Sequence, residues 1–158
     1  MKKIFITTAM IALLGSTSVF ADGGKKATKV TTVSYSVENE FTSDFSDAKN
    51  VSWSITPNVQ KATFTQDGVK MTAFYSLQGD YMGVTQNVDY AALSDKAKAT
   101  IADKYKDYSV KEVVKLETTN PDANFEETNY FVDLKNGADE ILVRVTASAD
   151  VYFFQQVK

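Results

Sequence analysis

Two hairpin dipeptides constrain this chain more than any other feature. Asp67-Gly68 and Asn136-Gly137 each stand between runs of alternating apolar and polar residues. A two-residue loop of that composition supplies the positive φ that a tight hairpin needs, so each joins two antiparallel strands. Before the first, Ala62 and Phe64 alternate with Lys61, Thr63 and Thr65; after it, Val69, Met71, Ala73 and Tyr75 share one face. Around the second, Tyr130, Val132 and Leu134 lead in, and Ile141, Val143 and Val145 lead out. Further alternating runs lie outside these hairpins: Val51, Trp53 and Ile55; Met82 and Val84 after the Gln78-Gly79-Asp80 turn; Val110, Val114 and Leu116; Val151, Phe153 and Val157.

Each set of strands follows a short helical pattern. Phe41, Phe45 and Ala48 recur at i, i+4 and i+7. Ala97, Ile101 and Tyr105 form a second stripe, with Ser94 or Asp89 to cap it and Lys104 and Lys106 at its negative end. The expected architecture is α+β: two tandem repeats of one helix plus a four-stranded antiparallel meander, with the helices on one face of the sheet. The first repeat spans 38–88 and the second 89–158. Pattern alone leaves open whether the two share one continuous sheet.

The first 21 residues read as an address. Met1-Lys2-Lys3, an apolar run from Ile4 to Leu14, and Val19-Phe20-Ala21 have the charged, apolar and small-residue regions of a signal peptide cleaved near Ala21. The apolar run is too short to span a bilayer comfortably. Residues 22–37 read as a flexible lead-in, with a strand possible near Val33 and Tyr35. The expected location is periplasmic or secreted, with no membrane span after cleavage.

Composition narrows the chemistry. The chain has no cysteine and no histidine. It therefore folds without disulfides, cannot carry a lipid on a cysteine, and cannot build a Ser-His-Asp or Cys-His centre or a nitrogen/sulfur metal site. Loss of Lys2 and Lys3 takes the formal charge from −3 to −5. An acidic body disfavours nucleic acid, and Lys25, Lys26 and Lys29 read as a solvated tail.

Period-2 geometry sends Phe74, Tyr81, Phe131, Arg144, Tyr152 and Phe154 to the face opposite Met71, Ala73, Tyr75, Tyr130, Val132, Val143 and Phe153. Aromatics and Arg dominate binding hot spots, so these six are the expected partner-binding residues. The partner would be an extracytoplasmic protein, peptide or glycan. Glu126-Glu127 and Asp139-Glu140 are carboxylate pairs, but neighbours on a strand point to opposite faces and share no cleft. Asp122, Asn124 and Glu126 alternate in a loop without the glycine and terminal Glu of a calcium-binding hand. Neither catalysis, a metal nor a cofactor is expected.

The spacing Phe41-x3-Phe45-x2-Ala48-x2-Val51-x-Trp53, then Ala62-x-Phe64-x2-Asp67-Gly68 and Ala73-x-Tyr75-x3-Gly79, resembles the β-lactamase-inhibitor-like, PepSY-like family of small exported bacterial proteins. Leu93, Ile101, Tyr105, Tyr108 and Tyr130-x-Val132 continue the likeness over nearly all of the chain after residue 21. Ser46 replaces a usual Pro, Leu93-Ser94 replaces Leu-Pro, and Ala149-Asp150 lacks the usual Gly. The resemblance implies tandem helix-plus-four-strand repeats and a binding protein that inhibits an envelope or secreted enzyme. A structural or stress-related envelope protein with no defined ligand is the alternative.

Overall fold

The structure is a computed structural model, and it describes residues 33–119 and 127–157. The leader at 1–21, the Lys25–Lys29 cluster and the Asp122, Asn124 and Glu126 loop lie outside the described residues. The described elements run α1 (Tyr35–Asp44), β1 (Lys49–Ile55), β2 (Gln60–Gln66), β3 (Val69–Tyr75), β4 (Tyr81–Val88), a 3₁₀ turn (Tyr90–Ala92), α2 (Asp95–Lys104), β5 (Ser109–Thr118), β6 (Thr128–Asn136), β7 (Asp139–Thr146) and β8 (Val151–Gln156).

These strands form one eight-stranded sheet in sequence order, β1 to β8. This corrects the expectation of two helix-plus-four-strand repeats. Two α-helices and one uninterrupted antiparallel sheet account for the described chain. The division between its two compact units falls at Val84/Thr85, inside β4 rather than between two meanders. Turn spacing reports which strands form hairpins; it carries no information about pairing between strands joined by a helix.

In the first unit, α1 starts where Ser34 caps it, its side chain accepting from the Val37 N–H at 3.5 Å. Tyr35 is therefore helical rather than in a strand. The helix ends when the Phe45 N–H donates to the Phe41 carbonyl at 2.8 Å and the Ala48 N–H to the Phe45 carbonyl at 3.0 Å. Its buried stripe, Val37 and Phe41, packs on Ala62, Phe64, Ala73 and Tyr75. Phe41 is the hub: its ring lies 5.0 Å from Phe64, 5.3 Å from Phe45 and 5.3 Å from Trp53. Edge-to-face contacts with Phe64 and Trp53 add to simple burial. β2 and β3 pair in register from Gln66↔Val69 to Gln60↔Tyr75, across a turn in which Asp67 and Gly68 both take positive φ.

In the second unit, Ser94 caps α2 and Asp89 caps the 3₁₀ turn before it, so both expected caps are used. Ala97 and Ile101 of the helix and Leu93 ahead of it pack on Val113, Val132, Leu134, Ile141, Val143, Val145 and Val151. Asn136 pairs with Asp139, so the tight turn holds Gly137 and Ala138, one residue later than the Asn-Gly dipeptide suggests. Thr146 and Asp150 close the last hairpin: the Thr146 N–H donates to the Asp150 carbonyl at 3.0 Å, and the Asp150 N–H to the Thr146 hydroxyl at 3.1 Å. Ala149 occupies this turn at φ 66°, where glycine would be unstrained.

Candidate functional site

Strand register decides which of the six expected residues meet. Phe131 of β6 lies opposite Arg144 of β7, and Arg144 opposite Tyr152 of β8. The three side chains therefore stand in a row across one face. A bulge in β8, between the partners of Leu142 and Val143, sets Phe154 beside this row. Its ring meets Phe131 edge-on at 5.2 Å. The Arg144 guanidinium lies 5.6 Å from the centroid of the Tyr152 ring, within cation–π range. Phe131, Arg144, Tyr152 and Phe154 thus form one cluster on the side of the second unit away from α2.

Exposure grades the cluster from floor to rim. Phe131 is buried at 1 %, Arg144 and Phe154 are half-buried, and Tyr152 is 51 % exposed. Phe131 was expected to present its ring to solvent; it is instead the support on which Phe154 rests. Val114, Leu116 and Leu142 are also buried beside it on that face. Alternation assigns a side chain to a face, but whether that face is wet depends on what lies over it.

Phe74 and Tyr81 do not belong to this cluster. Phe74 is buried at 2 % in the first unit, opposite Lys61 of β2. Tyr81 was expected on the outward face, yet its ring lies 5.5 Å from Tyr75 and 6.2 Å from Phe45, on the helix side. The turn before it explains the slip. The Ser76 N–H donates to the Asp80 carbonyl, and the Ser76 hydroxyl accepts from the N–H groups of Gln78, Gly79 and Asp80. That closed loop brings β4 back with Tyr81 on the Tyr75 side.

Two features escaped the sequence. Phe153 was expected inside, opposite Val143, but is 58 % exposed. It shares the α2 side with buried Val151, and among the described residues β8 is the last strand of the sheet. Along Val151 and Tyr152, the residues just before Phe153, runs a groove of about 580 Å³ between α2 and β8, lined also by Ala99, Thr100, Asp103, Lys104 and Ala149 among others. Lys96 closes one end, donating to Asp150 at 2.9 Å and to the Ser148 carbonyl at 3.1 Å.

The second is an acid pair bridged by one cation. A bulge between Val110 and Glu112 sets Lys111 against Asp133 at 3.1 Å and Glu140 at 2.8 Å. Burial pushes the Asp133 carboxyl above its usual range, opposed by Lys111; hydrogen bonds to Glu140 and then Asp133 push Lys111 up, so it stays charged. Glu140 is thereby committed to a structural ion pair, while Asp139 is exposed.

No family model and no curated protein matches this sequence. Solved structures share its fold. A DUF2874 family protein from Bacteroides uniformis has a TM-score of 0.71 at 12% identity, over 80% of this chain and 91% of that one. A BLIP-like protein from Bacteroides fragilis has a TM-score of 0.69 at 14% identity, over 82% and 90%. A candidate periplasmic protein from Bacteroides eggerthii has a TM-score of 0.71 at 12% identity, over 79% and 89%. The chain has a BLIP-like fold. These likenesses carry the inhibitor-like part of the resemblance and not its PepSY-like part, and at such identities they speak to fold alone. Among the described residues, no helix is long and apolar enough to cross a membrane.

Proposed function

We propose that this protein is an exported, non-enzymatic binding module that docks an extracytoplasmic protein through the Arg144, Tyr152 and Phe154 cluster. The observation that carries this is Tyr152: half its surface is open, and Arg144 lies against its ring. A rigid ring with its rotamer fixed by a neighbour loses little entropy on binding. Phe131 beneath Phe154 makes the floor equally stiff. The sharper form of the proposal is inhibition of an envelope or secreted enzyme. The BLIP-like fold and the export leader support it, as does the absence of His and Cys chemistry in the chain.

Capture from envelope fractions tests both forms. The wild-type protein should retain one partner in equal amount, and an inhibitory partner should lose turnover when bound. Tyr152→Ser combined with Arg144→Ser should lower capture at least about tenfold, as expected for loss of a central hot spot. Undiminished capture by a folded double variant would remove the cluster from consideration.

A further inference from the structure

The outer edge of β8 and the groove beside it are complementary to each other, and we infer that two copies of this chain pair there. Among the described residues no strand lies beyond β8. Its sequence, Val151-Tyr-Phe-Phe-Gln-Gln156, carries no charge, proline or glycine. Sheet edges normally carry such groups because they block pairing with another chain. The absence of charge also means that an antiparallel copy sets no like charges opposite one another.

The ladder fixes the register. Thr146 and Asp150 are a hydrogen-bonded pair, so the alternation makes Arg144 and Tyr152 the next one. Tyr152 therefore turns its backbone groups toward β7, and Val151 and Phe153 turn theirs to the open edge. A second β8 uses the Val151 and Phe153 groups of both copies together when the two-fold axis passes through Tyr152, which sets Val151 opposite the Phe153 of the other copy. Phe153 projects on the α2 side and is 58 % exposed. Val151, on that same side, is a wall of the 580 Å³ groove. The exposed ring of each copy thus enters the groove of the other, against Ala99 and Thr100. Small Val151 faces large Phe153 at both symmetric positions, and the two Tyr152 side chains meet at the axis.

This association goes beyond the proposed partner docking and does not depend on it. One strand edge and two rings cover roughly 300–500 Å² per copy, below the ~800 Å² per partner of a standard interface, so the pair is weak and concentration-dependent. Sedimentation equilibrium of the purified protein from about 10 µM to about 1 mM should show the mass rising toward twice the monomer value, the range set by weak affinity. Phe153→Lys, at an exposed position, should hold it at the monomer mass, and Ala99→Arg, which fills the groove from the helix side, should do the same.

The chain has no cysteine, so an introduced one reports the register directly. Facing residues of a non-hydrogen-bonded pair have Cα atoms about 4.5 Å apart, within disulfide reach. Tyr152→Cys should form a covalent dimer on mild oxidation at least about tenfold faster than Lys135→Cys, an exposed control on β6. Three results would overturn the inference: a monomer throughout that range, a dimer unchanged by both Phe153→Lys and Ala99→Arg, or equal cross-linking of the two cysteine variants. A monomer that binds extended peptides at β8 would assign the edge to a partner strand instead.

Discussion

Gly79→Ala is the substitution that most directly tests how α1 is seated. Gly79 has φ +107°, a conformation that L-residues rarely adopt, and a Cβ built there lies 3.3 Å from Val37 Cγ2. Val37 is fully buried in the stripe of α1, so its methyl cannot swing into solvent. Two costs combine: backbone strain of about 1–3 kcal/mol, and overpacking of about 1 kcal/mol as the helix yields by a few tenths of an ångström. The sum is about 2–4 kcal/mol. Gly68→Ala separates them, because Gly68 also has positive φ, +80°, but a Cβ there meets nothing within 4 Å. Urea unfolding followed by the fluorescence of Trp53, the single tryptophan, reads both variants. With m near 2 kcal/mol/M, the midpoint of Gly79→Ala should fall by about 1–2 M, and that of Gly68→Ala by about 0.5 M less. Equal losses, or a smaller loss at Gly79, would refute the close approach of α1 to the Ser76–Asp80 turn.

Phe41→Ala removes the hub of the aromatic cluster and should cost about 3–5 kcal/mol in the same assay; a loss below about 1 kcal/mol would contradict its burial. Ala149→Gly relieves a left-handed residue in the turn between Thr146 and Asp150, and should raise stability by about 1 kcal/mol, seen as a higher melting temperature. Asp133→Asn tests the acid pair through pH. Because burial raises the folded carboxyl above its ordinary value, the folded protein holds that proton more tightly than the unfolded chain. Its stabilising effect is complete below the unfolded value and is lost as pH rises through the folded one. The variant cannot titrate there, so its stability relative to wild type should improve as pH rises from about 4 to about 7, measured by urea unfolding at each pH. A constant difference would refute the assignment.

What was legible in the sequence is local. Ser94 and the Ala97–Ile101 stripe mark α2, and Asp67-Gly68 marks its turn, because caps and hairpins depend on neighbouring residues. The start of α1 was hidden because Tyr35 and Ser36 interrupt its apolar stripe, although Ser34 is the cap that begins it. Face assignments held within strands and failed across turns. Tyr81 follows a closed loop that resets the parity, whereas Phe154, itself the bulged residue of β8, keeps the face expected of it, against Phe131. Lys111 reaches its acids only because Val110 and Glu112 straddle a register shift, which no local pattern announces. Phe74 and Phe153 show a different limit. One was expected exposed and is buried, the other the reverse, because side-chain alternation assigns a face and not what covers it: Phe74 lies on the interior strand β3 and Phe153 on β8, the last strand among the described residues.

Strand order equal to chain order has a kinetic consequence. Each strand needs only its predecessor as a template, so the search never has to bring distant stretches of chain together before anything is gained. For a protein this rich in sheet, the mean separation of touching residues is small, and folding should be quicker than for sandwiches that interleave their strands. Growth from a first hairpin outward would then leave the terminal strand as the last piece to settle and the first to fray.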